Sequence, residues 1–198
     1  ALWWSARTGE GLKLRIPGTD AAPGGGTGGT NPVFAGKLIP GDGQPADLPG
    51  VWPQFRGPNR DGVWNETGIL KTFPAAGLQI RWRVPVGPGW SSPVVARGRV
   101  FLTDARYEKP KAWERIQCFK ETTGQRLWIH AYEVTYPDWA FNPENGGGPA
   151  TTPIVEAGKG YVLGRTGQTY CFDARNGKVI WEKLLGKEYV IAELSCRA

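Results

Sequence analysis

Two eleven-residue segments of this 198-residue chain are variants of one pattern. The first, at 118–128, reads CFKETTGQRLW, and the second, at 171–181, reads CFDARNGKVIW. The copies start fifty-three residues apart (171 minus 118) and share Cys, Phe, Gly and Trp at matching places. Self-similarity over a spacing of about 20–50 residues is typical of architectures that stack one supersecondary unit on the next. The fold must therefore be one in which similar units lie side by side.

The repeat extends upstream of both segments. Pro93 and Gly98 of SSPVVARGRVFLTD match Pro153 and Gly158 of TTPIVEAGKGYVLG at an offset of sixty residues (153 minus 93). The two offsets differ by seven residues (60 minus 53), and we assign this difference to a longer loop in the first unit, ARYEKPKAWE at 105–114.

Each unit predicts four short strands separated by turns. Apolar and β-branched runs alternate with glycine-containing turn sequences, and the last strand of each unit carries Trp128 or Trp181. We expect Gly124 and Gly177 to adopt positive φ in the tight turns that lead into these last strands, because glycine takes that conformation without steric cost. Four strands in roughly 40 residues, repeated, are typical of a β-propeller blade.

The turn and its flanks resemble the repeat of pyrroloquinoline-quinone-type (quinoprotein-like) β-propellers, whose consensus is A-x-D-x-x-T-G-x-x-x-W. The residues at the consensus positions are Cys118, Lys120, Thr123, Gly124 and Trp128 in the first copy and Cys171, Asp173, Asn176, Gly177 and Trp181 in the second. Both copies replace the alanine by cysteine, the first lacks the aspartate, and the second lacks the threonine. WPQFRGPNRDGV, at 52–63, also resembles the segment that leads into such propellers. The resemblance covers about residues 51–190 and is specific to the fold more than to an activity.

The fold class implied is all-β, with an incomplete propeller over residues 51–198 and four-stranded antiparallel blades at about 90–132 and 149–190. A propeller ring takes about four to eight blades, so two blades cannot close it, and we interpret the chain as a fragment of a longer protein. The two blades should pack side by side and leave apolar outer faces exposed. Trp82, in LQIRWRVPVG, resembles the tryptophan of a fourth strand that has no first three strands before it. We expect it on an orphan outer strand.

Residues 1–50 differ in composition from the rest of the chain. Residues 18–50 are rich in Gly and Pro, and we expect a linker that makes few contacts with the blades. Residues 1–17 contain Trp3 and Trp4 before several basic residues. Two interpretations are open, namely the end of a membrane anchor that lies upstream of residue 1, or a disordered leader.

Charge and cysteine content argue against several classes of function. The net charge of +6 is spread over 24 basic and 18 acidic residues without a long run of one sign, so we expect no nucleic-acid partner. Cys118 and Cys171 occupy equivalent places and should be small packing residues that point the same way, which disfavours a disulfide between them. Cys196 is the third cysteine, and the sequence has no CxxC motif, so no metal site is expected.

Few residues are candidates for catalysis. His130 is the only histidine and would be the base of any nucleophilic triad, although a packed or surface histidine is the more common case. Asp138 and Glu144, in TYPDWAFNPENGGG, could act as a general acid and base or brace a loop. The glycines at 146–148 lack the following GK[ST] of a phosphate-binding loop.

We therefore predict a non-enzymatic, periplasmic or otherwise extracytoplasmic scaffold or binding module, whose partners are the remaining propeller blades or other proteins. The resemblance gives as the nearest analogue the propeller lipoprotein of the outer-membrane barrel assembly machinery. The alternative that it implies is the N-terminal part of a quinone-dependent alcohol or sugar dehydrogenase, with a quinone and a calcium ion at the ring centre. No adjacent cysteine pair is present, and no motif places Trp90, Trp113 or Trp139 on a cofactor, so no cofactor is predicted.

Overall fold

The computed structural model describes residues 36–46, 48, 51–65, 67–68, 70–141, 147–187 and 189, all within one compact unit. The regular elements of these residues are strands and two short 3-10 segments, Asp138–Phe141 and Leu185–Lys187, without an α-helix. The strands are β1 (Lys37–Pro40), β2 (Val51–Trp52), β3 (Val94–Ala96), β4 (Arg99–Glu108), β5 (Lys111–Lys120), β6 (Arg126–Val134), β7 (Ile154–Glu156), β8 (Lys159–Leu163), β9 (Gln168–Asp173) and β10 (Val179–Leu184). The predicted leader at 1–17 lies outside the described residues.

The strands form two antiparallel sheets. The first has the order β1-β6-β5-β4-β3-β2, and the second has the order β10-β9-β8-β7. Strands β3 to β6 are the four strands expected of the first unit, which we call blade 1, and β7 to β10 are those of the second, blade 2. This arrangement confirms the predicted all-β fold with four-stranded antiparallel blades of a partial propeller.

The glycine turns have the predicted conformation. Gly124 has φ of +71° and Gly177 has φ of +75°. The Gly124 amide donates to the carbonyl of Lys120 and the Gly177 amide to that of Asp173, both at 2.8 Å. Each turn leads directly into the strand that carries the repeat tryptophan, β6 or β10.

The predicted long loop at 105–114 is wrong, because these residues extend two strands. β4 and β5 stay paired from Arg99 opposite Lys120 to Glu108 opposite Lys111, so the turn is confined to residues 109 and 110. Along β5 the residues alternate between buried and more exposed from Lys111 to Ile116, which is the period of a strand. Blade 1 therefore has a longer central hairpin than blade 2.

Part of the predicted linker is a strand, β1, that adds to the sheet of blade 1. β1 pairs with β6 from Lys37 opposite Ala131 to Pro40 opposite Trp128, and the Gly41 amide donates to the Leu127 carbonyl at 2.6 Å. The expectation of few contacts is thus wrong for residues 36–46. An edge strand is held by backbone hydrogen bonds to its neighbour, so its sequence needs little apolar patterning. The remaining linker residues up to 35 lie outside the described part of the chain.

The core lies between the two blades. The ring centroids of Trp128 and Phe172 are 5.2 Å apart, and those of Phe101 and Phe172 are 6.4 Å apart. All three side chains are at most 1% exposed. These contacts confirm the prediction that the blades pack side by side.

Candidate interaction surface

One contact between a tryptophan and a glycine turn occurs twice in the molecule. A Cβ atom placed on Gly177 of blade 2 would lie 2.5 Å from Cδ2 of Trp128, and one placed on Gly124 of blade 1 would lie 2.6 Å from Cε3 of Trp82. Both distances are too short for a side chain, so only glycine permits the indole to lie against the turn. Each tryptophan therefore covers the turn of the unit that follows it in sequence.

Trp82 makes this contact from a segment without a strand. Residues 79–93 contain no strand, so the expectation that Trp82 lies on an orphan outer strand is wrong. Its position is fixed by the Gly124 turn and by its indole Nε1, which donates to the Glu121 carbonyl at 2.7 Å. The tryptophan takes the place of a preceding repeat's tryptophan without the strand that would carry it.

Trp128 ends a row of paired side chains that faces blade 2. In the strand register Val94 lies opposite Phe101, Phe101 opposite Cys118, and Cys118 opposite Trp128. None of these four residues is more than 1% exposed. We call these four residues the covered row, because blade 2 packs over them.

Blade 2 repeats this row on its side away from blade 1. Ile154 lies opposite Tyr161, Tyr161 opposite Cys171, and Cys171 opposite Trp181. We call these residues the open row. Trp181 is 44% exposed, whereas Trp128 is 1% exposed. Ile154 and Tyr161 are partly exposed, and Cys171 is buried beneath them. Both Cys118 and Cys171 are free thiols, as their equivalent positions predict.

Asp173, the consensus aspartate found in the second copy, braces its own turn. Its carboxylate accepts hydrogen bonds from the backbone N and the guanidinium of Arg175, each at 2.8 Å. The side-chain hydrogen bond from Arg175 holds the pKa of Asp173 below its usual range. The residue at this place in blade 1 is Lys120, so the Gly124 turn has no such brace.

A buried carboxylate joins the two blades. Glu114 on β5 is 1% exposed and accepts hydrogen bonds from the hydroxyls of Tyr132 and Tyr136, both at 2.6 Å. The backbone N of Arg165, in blade 2, donates to the same carboxylate at 3.0 Å. Burial raises the pKa of Glu114 despite these donors, which lower it. Sequence reasoning missed this cluster, since the partners lie up to 51 residues apart and no motif links them.

Two of the three candidate catalytic residues, His130 and Asp138, lie within the described part of the chain. His130 is 4% exposed, neither ring nitrogen has a hydrogen-bond partner among the described residues, and burial lowers its pKa to about 4. Asp138 is on the surface, in an ion pair with Lys109 at 3.1 Å. Glu144 and Gly146 lie outside the described residues. His130 is therefore a packed histidine whose ring lies edge-on to the ring of Tyr170, with the two centroids 5.1 Å apart.

Neither a metal-binding cluster nor a membrane-spanning helix is present among the described residues. No three His, Cys, Asp or Glu side chains in the described ranges are grouped so that they could hold a metal ion. Trp90 and Trp139 are 68% and 44% exposed, and Trp113 is partly buried on β5. Within the part of the chain that the structure describes, no helix has the length and apolar character to span a bilayer.

The four-stranded blades and the tryptophan–glycine contacts define a partial β-propeller. Residues 112–194 match the family model of the outer membrane protein assembly factor BamB. This match confirms the resemblance to pyrroloquinoline-quinone-type propellers. A comparison with curated proteins gave no match.

Solved structures with similarity to the chain include dehydrogenases and an assembly factor. A quinohemoprotein alcohol dehydrogenase from Comamonas testosteroni is 20% identical, with a TM-score of 0.45, over 70% of this chain and 20% of its own. A europium-containing methanol dehydrogenase is 16% identical, with a TM-score of 0.32, over 49% of this chain and 16% of its own. BamB from Moraxella catarrhalis is 12% identical, with a TM-score of 0.24, over 52% of this chain and 39% of its own. The chain thus spans about a fifth of the length of the first of these proteins.

Proposed function

We propose that this chain is part of a non-enzymatic, extracytoplasmic β-propeller scaffold, which works by contact with proteins in the bacterial envelope. The observation that carries the proposal is the open row, which repeats the covered row residue by residue but leaves Trp181 44% exposed. Exposed apolar patches of this kind mark interaction sites. The family match to an outer membrane assembly factor supports protein partners and a periplasmic location.

The partner of the open row is a further repeat of the same type. Trp128 is buried because blade 2 presents Gly177 to it, and Trp82 lies in the same way on Gly124. The matching partner for Trp181 is a turn that contains a glycine of positive φ. The same unit would carry an aromatic residue that contacts Trp181 as Phe172 contacts Trp128. Such a unit would cover Trp181, Tyr161 and Ile154 together.

A quinone cofactor is not part of the proposal. The chain has no adjacent cysteines, and the described residues offer no cluster of acidic side chains for a calcium ion. The part of the chain that the structure describes thus shows neither feature that the resemblance gives to the dehydrogenase site. Titration of the protein with pyrroloquinoline quinone and calcium, followed by tryptophan fluorescence, checks this directly. Saturable one-to-one quenching would contradict the scaffold proposal.

The proposed role of the open row is tested with the 198-residue chain itself. We expect it to bind a hydrophobic dye and to self-associate in sedimentation velocity, and we expect Trp181→Glu to weaken both, because the charge interrupts the apolar open row. Phe73→Glu is the matched control, since it introduces the same charge at a residue that is 66% exposed and lies on neither blade. A strictly monomeric chain without dye binding, or equal effects of the two substitutions, would contradict the proposal.

A further inference from the structure

The segment that follows β2 is a compact loop with two arginines, which we call the arginine loop (residues 53–62). Its backbone is closed by hydrogen bonds within the loop, from the amide of Gly57 to the Gln54 carbonyl at 3.0 Å and from the amide of Gly62 to the Arg56 carbonyl at 2.9 Å. The loop is tied to blade 2, because the Val155 amide donates to the Pro53 carbonyl at 2.8 Å. The arginine loop is thus ordered by its own contacts and by those with β7.

Both arginines have a backbone conformation that favours glycine. Arg56 has φ of +61° and Arg60 has φ of +59°. Arg97 and Ala157 also have positive φ, but each precedes a glycine in a two-residue hairpin turn that requires it. The arginine loop is not a hairpin, so its strain has no such explanation. Backbone strain of this kind is concentrated at functional sites, where it holds a side chain in place.

The arginine loop and blade 2 enclose a cleft of about 340 Å³, lined by Gln54, Phe55, Arg56, Arg60, Thr152 and Ile154. Two lining residues are basic and none is acidic. The wider cleft of about 400 Å³ on blade 1 differs in this respect, since its basic residues are accompanied by Glu108 and Glu133, and Arg106 is paired with Glu108. Among the described residues, the lining of the cleft at the arginine loop is therefore basic without an acidic side chain.

Arg60 is held so that part of its guanidinium stays available. Its Nε donates to Oε1 of Gln54 at 3.0 Å, and Nε2 of Gln54 in turn donates to the Pro58 carbonyl at 2.9 Å. Within the described residues, the two terminal amino groups of Arg60 have no protein acceptor. Arg56 uses one terminal nitrogen, which donates to the Asp61 carbonyl at 3.1 Å. Gln54 thus positions one guanidinium, and the planar fork of an arginine matches a carboxylate.

We propose that this cleft binds a carboxylate attached to an apolar group. The Arg60 guanidinium would hold the carboxylate, while Phe55, which is 52% exposed, and Ile154 would contact the apolar part. The volume is at the lower end of ligand sites, about 300–1,000 Å³, and suits a single apolar residue with its terminal carboxylate. The C-terminus of a protein and a free organic acid share this chemistry. The site shares Ile154 with the open row, whereas Phe55 and Arg60 lie outside that row.

Calorimetry with a matched pair of probes tests the proposal. Acetyl-Ala-Phe with a free carboxylate should bind the 198-residue chain, and the same dipeptide with a carboxamide end should bind roughly tenfold more weakly or worse, because the charge-assisted hydrogen bonds are lost. This comparison needs no substitution in the protein. 3-Phenylpropionate serves as a third probe. Its binding would support a free acid as the ligand, and binding of the dipeptide alone would support a protein C-terminus.

Substitutions then assign the binding to the cleft. Arg60→Gln should lower the affinity for the dipeptide acid roughly tenfold and leave the affinity for the carboxamide unchanged. Arg60→Lys should restore part of the affinity for the acid, because lysine keeps the positive charge but lacks the planar guanidinium. Arg97→Gln is the control, because Arg97 is an exposed arginine of positive φ in a hairpin turn. Equal affinity for acid and carboxamide, no binding of either at millimolar concentration, or an Arg60→Gln variant that binds as the original does would overturn the proposal.

Discussion

The covered row and the open row are the same four-residue arrangement in two surroundings. Each ends in a tryptophan opposite a cysteine, in β6 and in β10. Trp128 is 1% exposed, and Trp181 is 44% exposed. The sequence around the two tryptophans is equivalent, so their different burial comes from the presence of a following glycine turn at Trp128. In this fold one blade contributes the tryptophan of the contact, and the next blade contributes the glycine turn that covers it.

The largest expected effect separates the two tryptophans. We expect Trp128→Ala to lower the free energy of unfolding by about 3–5 kcal/mol, since it leaves a cavity between Phe101 and Phe172. Trp181→Ala should lower it by about 1 kcal/mol or less, because the side chain is partly in solvent already. Urea unfolding followed by circular dichroism measures both. Equal losses would show that the open row is covered in solution.

The buried carboxylate gives the second comparison, because blade 2 has no counterpart. The residue fifty-three positions after Glu114 is Gly167, so the cluster exists only where two blades meet. Glu114→Ala should cost about 3 kcal/mol, since it leaves buried tyrosine hydroxyls and the Arg165 amide without an acceptor. Glu156→Ala, at an exposed site on β7, should change stability by about 0.5 kcal/mol or less. If the two substitutions cost the same, the cluster does not join the blades.

The pH dependence of stability should follow His130, whose counterpart in blade 2 is the exposed Lys183. The pKa of His130 falls from 6.5 to about 4 on folding because of burial. Its contribution is present above pH 6.5 and is lost as the pH falls toward 4, about 3 kcal/mol in all at 1.36 kcal/mol per pKa unit. Glu114 has a raised pKa in the folded protein, so its contribution to stability increases as the pH falls, opposite to that of His130.

The substitution His130→Leu isolates this contribution, because Glu114 is the same in both proteins. We expect the variant to lose less stability than the original chain between pH 7 and pH 4.5 in urea unfolding, since leucine has no proton to gain. Parallel curves for the two proteins would mean that His130 is accessible to water and not packed against Tyr170.

The smallest expected effect concerns the two hairpin turns. Arg97 and Ala157 hold equivalent places with φ of +49° and +47°. Asn tolerates positive φ better than Ala. We therefore expect Ala157→Asn to raise the thermal midpoint of unfolding, with a gain of about 0.5–1 kcal/mol in the free energy of unfolding. Ala157→Ser is the control and should give no such gain. A destabilised Asn variant would argue against a type I′ turn at this place.

The repeat in the sequence was enough to predict the blades, their glycine turns and their side-by-side packing. Each of these depends on local patterns that recur, namely strand-forming runs and a glycine before the tryptophan strand. β1 was missed because four residues of an edge strand, KLIP, are held by the backbone of β6 and carry no repeat signal. The long hairpin at 105–114 was read as a loop because the seven-residue difference between the two repeat offsets was assigned to a connection, whereas these residues extend the two paired strands.

The polar parts of the molecule could not be predicted from the sequence. Glu114 meets Arg165 only after both blades have folded and packed, so the sequence contains no spacing rule for the pair. The arginine loop was recognised as a leading segment, but its positive φ angles and its contact with β7 depend on tertiary structure. The open row is an intermediate case, because the sequence predicts the equivalence of Trp128 and Trp181 but not the degree to which each is exposed.

Solvent exposure of the individual tryptophans tests the central claim most directly. The chain labelled with 5-fluorotryptophan gives one fluorine resonance for each of its ten tryptophans, and Trp128→Phe and Trp181→Phe identify the two of interest. In the monomeric chain we expect the Trp181 resonance to shift when H₂O is replaced by D₂O and the Trp128 resonance to stay nearly unchanged, because only the first contacts solvent. Equal solvent shifts for the two would contradict the account of one covered and one open row.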